Sequence, residues 1–144
     1  MCPIALHIAM RGKEGLIVSL LTAITFLLFG LLSRGYCPLN RAFSPWYRIF
    51  IHNLGFAIAI ALSTSLLESI GVLFVSSVIG FTMFTLGRAM VCGSLTAFLV
   101  ALLEAIAYLL SYLLARVERR WKVLLSSVMV VLLLVASLIE SGVV

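Results

Sequence analysis

The chain has 144 residues, 64% of them hydrophobic and 10% charged, and carries a formal net charge of +5. A soluble globular domain carries roughly 25% charged residues, and so few charges cannot cover so apolar an interior in water. The composition excludes a soluble domain, and it predicts a single all-α domain, residues 1–144, lying almost wholly inside a bilayer.

Residues 1–14 read as a short leader whose apolar part, Pro3 to Met10, is too short to span. It suits the interface, with Arg11 and Lys13 at the headgroups. A first span is expected over 15–33. Residues 34–48 form an interfacial segment: Arg34, Arg41 and Arg48 alternate with Tyr36, Trp46 and Tyr47, the composition of a membrane interface. Ser44-Pro45 reads as a helix start, with Ser44 as N-cap. The second span covers 49–67, where Gly55, Ala59 and Ser63 repeat a small residue every fourth position. A tight break at 68–71 makes the next span, 72–87, its antiparallel neighbour. Gly80 and Gly87 thin one side of that span, and its Ser and Thr hydroxyls can bond to carbonyls of the preceding turn.

The fourth span, 93–115, organises the rest. It is apolar for about 23 residues with one charge, Glu104, near its middle. Gly93, Ala97, Ala101 and Ala105 make a flat stripe for close helix packing. Arg116, Glu118, Arg119, Arg120, Trp121 and Lys122 form the densest charge cluster, which anchors the chain at headgroups, and the fifth span covers 123–139. The loops on the N-terminal side hold six basic residues and those on the other side four, which places the N-terminus in the cytoplasm.

Glu104 cannot face lipid cheaply and must find a partner inside the bundle. Two readings stay open: a proton or cation site, or a hydrogen-bond anchor between helices. The anchor is favoured because no second acid lies mid-membrane. Asn53 is the first choice of partner, with His52 and Arg88 behind it, and Tyr108 shares the Glu104 face. No metal site is expected from two His, three scattered Cys and no Asp. The cysteines read as small apolar residues. No nucleophile triad, phosphate-binding loop or nucleic-acid stripe is present, and no cofactor is called for.

Four stretches resemble a known family. Phe50-Ile51-His52-Asn53-Leu54 is similar to the opening of a span in the stage II sporulation protein M family. Ile79-Gly80 followed by Gly87 resembles that family's Asn-Gly-x-x-x-Gly segment, with Ile79 in place of Asn. Leu103 to Tyr108 resembles its central segment around a Glu, with Val100-Ala101 where the family has His-Gly. Leu138-Ile139-Glu140 resembles its closing signature. The likeness covers 47–140, and it implies a helical membrane protein without established enzymatic activity that acts as an assembly scaffold.

The expected architecture is thus a polytopic bundle of about five transmembrane helices. The expected partners are the bilayer and either membrane proteins or further copies of the chain. The leading expectation is a non-enzymatic scaffold, and the alternative is a small transporter or channel subunit using Glu104. The two differ physically: a transporter needs a polar cavity or pore around Glu104, a scaffold a dry, packed site.

Overall fold

The computed structural model of the chain describes residues 3–33 and 45–142, with side chains from residue 17 onward except those of 68 and 69. Five helices follow one another: α1 (Pro3–Leu32), α2 (Trp46–Leu66), α3 (Glu68–Cys92), α4 (Leu95–Leu114) and α5 (Arg119–Ser141). No strand occurs among the described residues. Helices α2 to α5 are each long and apolar enough to cross a bilayer, whereas the apolar part of α1, Ile17–Leu32, is shorter. The leader expected as a separate interfacial piece is continuous with α1. Arg11 and Lys13 are good helix formers, and the Gly12 between them costs only about 1 kcal/mol.

In hydrocarbon the backbone must satisfy itself, so the helices break only at short, closed corners. Gly93 ends α3 in the left-handed region (φ 66°), with its amide directed at Ala89 and Met90 carbonyls. Ser94 then caps α4 by accepting from the Ala97 amide at 3.3 Å. This corrects the role expected of Gly93: it is a corner, with nothing within 4 Å of where a Cβ would stand. The break between α2 and α3 shrinks to one extended residue, Leu67 (φ −143°, ψ 96°). So sharp a corner brings Gly71 against Thr64, whose Cα would lie 2.5 Å from an added Cβ. Pro45 stands at the N-cap position of α2 rather than inside the helix. Ser44, Arg34, Tyr36, Cys37 and Arg41 lie outside the described residues, as do Cys2 and the side chains of His7, Arg11 and Lys13. Trp46 and Tyr47 begin α2 as exposed rings packed edge to face. Arg119 to Lys122 form the first turn of α5 instead of a loop, and all four residues are exposed.

Among the described helices α1 packs on α3 alone, while α2, α3, α4 and α5 form the rest of the bundle around α2 and α4. The α1–α3 seam is close because glycines remove side chains from it. A Cβ on Gly87 would meet the Leu27 carbonyl oxygen at 2.6 Å, and one on Gly30 would overlap the Phe84 carbonyl. Gly80 lies under the Phe26 ring. Ser76 does not bond to its own helix but shares a buried hydrogen bond with Ser19 at 2.9 Å. Arg88 is buried and donates to the Ser33 carbonyl at the end of α1. A helix C-terminus leaves carbonyls without intrahelical donors, and a nearby guanidinium answers them. Cys92, expected to be a simple small apolar residue, is disulfide-bonded.

Candidate functional site

The polar residues of α2 and α4 face one another. Asn53 is buried on α2, and its Nδ2 donates to Glu104 Oε1 at 2.5 Å. Further along the same seam Ser111 on α4 donates to the Ala57 carbonyl on α2. Placing an amide and a hydroxyl inside hydrocarbon demands partners, and these helices supply them to each other. This demand also decides which face of α2 turns inward. Asn53, Ala57, Ile60 and Thr64 are buried. The stripe expected to pack, Gly55, Ala59 and Ser63, lies to the side: Gly55 is exposed, Ala59 and Ser63 are half-buried, and no atom lies within 4 Å of a Cβ on Gly55. On α4 the stripe holds in part, since Ala101 and Ala105 are buried and Ala97 is half-buried.

Around this pair the packing is incomplete. A cavity of about 380 Å³ lies between α2, α3 and α4. Glu104 and Tyr108 line it from α4, His52, Asn53 and Phe56 from α2, and Ser77, Val78, Phe81 and Thr82 from α3. Asn53, Thr82 and Tyr108 are buried at its back, whereas His52, Ser77 and Phe81 are exposed at its mouth. Phe81 is 71% exposed. The mouth lies on the flank of the bundle, beside the middle of α3. The hydroxyls of Ser77 and Thr82 donate to the carbonyls of Leu73 and Val78, four residues back. The His52 ring stands edge-on to Phe56 at 4.8 Å between centroids, and Phe56 stacks against Phe74.

Glu140, near the end of α5, completes the group. Its carboxyl is within electrostatic range of Glu104 and of His52. The fold thus gathers His52, Asn53, Glu104, Tyr108 and Glu140 from three helices. Arg88, the remaining suggested partner of Glu104, is engaged at the end of α1 instead. Phe56, Ser77, Phe81 and Thr82 carried no signal that marks them as lining residues, since each reads as an ordinary member of an apolar span. Groups of three or more His, Cys, Asp or Glu placed to hold a metal do not occur among the described residues.

At the other end of the seam Tyr112 is buried, and the Arg116 guanidinium sits over its ring at 4.6 Å. Arg120 pairs with Glu118 at 2.9 Å, with both side chains largely exposed, so that pair adds little stability.

These features define a class of protein, a multi-pass membrane helix bundle with an acid set inside it. Comparison with protein-family models, curated proteins and solved structures finds no match. The likeness to the sporulation protein M family therefore rests on the motif positions alone.

Proposed function

We propose that this chain is a small non-enzymatic transporter or channel subunit of the cell membrane, with Glu104 as its proton or cation site. The observation that carries this reading is the cavity at Glu104. An acid that served only to tie helices together would be sealed by packing. Here the carboxyl instead lines a space that reaches the flank of the bundle. Asn53 holds one carboxylate oxygen in place, and Glu140 and His52 supply further titratable groups between Glu104 and the end of α5. The test is flux into proteoliposomes containing a pH-sensitive dye. Wild-type protein should carry protons or cations, and Glu104→Gln should not, because it keeps an acceptor for Asn53 but cannot titrate. Equal melting temperatures show that the variant is folded. Equal flux through both proteins would sink the proposal.

A second reading is the membrane scaffold that the family resemblance implies. It is favoured by the exposed Gly55 on α2, where no described residue lies within 4 Å of an added Cβ. Crosslinking in native membranes separates the two: a stoichiometric protein partner, or the chain itself, recovered through α2 supports the scaffold.

Two features support one orientation. Disulfides persist on the oxidising side of a membrane, which supports an outward-facing Cys92 end. The basic cluster Arg116–Lys122 then lies at the cytoplasmic end, along with the N-terminus. An N-terminal tag reachable only from the cytoplasm is the expected result.

A further inference from the structure

The cavity is larger than a proton or a bare metal ion requires. At about 380 Å³ it falls in the range of small-molecule pockets, roughly 300–1,000 Å³. Its donor set is wrong for an inorganic cation, which takes about six or more oxygens. Glu104 is the sole carboxylate of the lining, the Asn53 amide already donates to it, and the Ser77 and Thr82 hydroxyls are turned to their own helix. What remains on the walls is aromatic: Phe56, Phe81 and Tyr108. Aromatic faces attract organic cations, and more strongly where water is excluded. One carboxylate among rings selects a single positive charge carried on an apolar body.

The position of the mouth sets the route. Phe81 is exposed on the flank of α3, away from both helix ends. A ligand that reaches this mouth has first dissolved in the acyl chains. We infer that the cavity between α2, α3 and α4 binds a lipophilic organic monocation, drawn laterally from the bilayer, with Glu104 as its counter-ion. This rests on the reading of Glu104 as a cation site and names the class of cation.

The probe is methyltriphenylphosphonium, measured by equilibrium dialysis against the full chain in nanodiscs, with neutral triphenylphosphine oxide as the matched control of similar shape. Phosphonium binding that is saturable and at least about tenfold tighter than that of the neutral control is expected. Glu104→Gln should remove that preference, and Phe81→Ala should weaken binding while leaving Glu104 in place. Equal binding of the two probes, or phosphonium binding unchanged in a folded Glu104→Gln protein, overturns the inference. Failure here is distinguishable from failure of the transport reading. Flux that depends on Glu104 without phosphonium binding leaves a proton or inorganic-cation site and removes this one. Phosphonium binding without flux retains the site and removes transport.

Discussion

The two seams of this bundle are built on opposite principles. Between α1 and α3 the helices touch backbone to backbone, because Gly30, Gly80 and Gly87 clear the way; Ser19 and Ser76 bridge them midway, and Arg88 reaches the Ser33 carbonyl at the end. Between α2 and α4 the contact is made by polar groups, Asn53 to Glu104 and Ser111 to the Ala57 carbonyl, and a cavity remains beside it. In hydrocarbon no hydrophobic force draws helices together, so a seam is held by close packing or by hydrogen bonds. The first seam takes the packing route and leaves no room for chemistry. The second holds its helices through fewer, directional contacts, and such contacts leave space next to a titratable group.

Six substitutions can break or sharpen this contrast. Gly30→Val should be the most damaging, because its Cβ would overlap the Phe84 backbone, which cannot rotate aside. The expected loss is about 3 kcal/mol, the upper part of the overpacking range, read from thermal melting in detergent. A melting temperature close to wild type would mean the helices are not this close. Ala101→Leu should follow at about 2 kcal/mol, since Ala101 is only 2% exposed. Leu102→Ala, on a half-buried neighbour, should cost less than Ala101→Leu in the same melt.

At the polar seam a double-mutant cycle is more informative than single changes. Asn53→Ala and Glu104→Ala should couple by about 1 kcal/mol, the scale of an interhelical hydrogen bond in a membrane. Additive losses would show that the pair is not energetically linked. The smallest effect belongs to Gly55→Ala. With open space beside it, the added methyl should stabilise α2 by about 0.5–1 kcal/mol through helix propensity alone. A destabilised monomer there would place a neighbour where this structure has none. If instead the monomer is more stable but self-association is lost, the scaffold reading gains.

The glycine seam was only half legible. Gly80 and Gly87 stand out within their span, but Gly30 near the end of α1 and Gly71 beside the Leu67 corner do not, because their need for a missing side chain arises from a neighbour distant in the chain. The small-residue pattern also misled on α2. A spacing of four fits the line Asn53–Ala57 as well as the line Gly55–Ala59, and periodicity alone cannot choose between faces. The buried amide chose, because its cost without a partner exceeds anything a flat stripe can offer.

The sequence by itself determined that the chain is helical, that it belongs in a membrane, and that Glu104 needs a partner. These follow from composition, from apolar length and from the cost of an acid in hydrocarbon, all of them local properties. Only the tertiary structure decided that His52 and Glu140 join Asn53 beside that acid, that Arg88 serves the end of α1, and that rings of α2 and α3 leave a cavity open to the flank. Those outcomes depend on how three helices register against one another. Register is fixed by the fit of side chains across the seams, and that fit is not written in any one stretch of the chain.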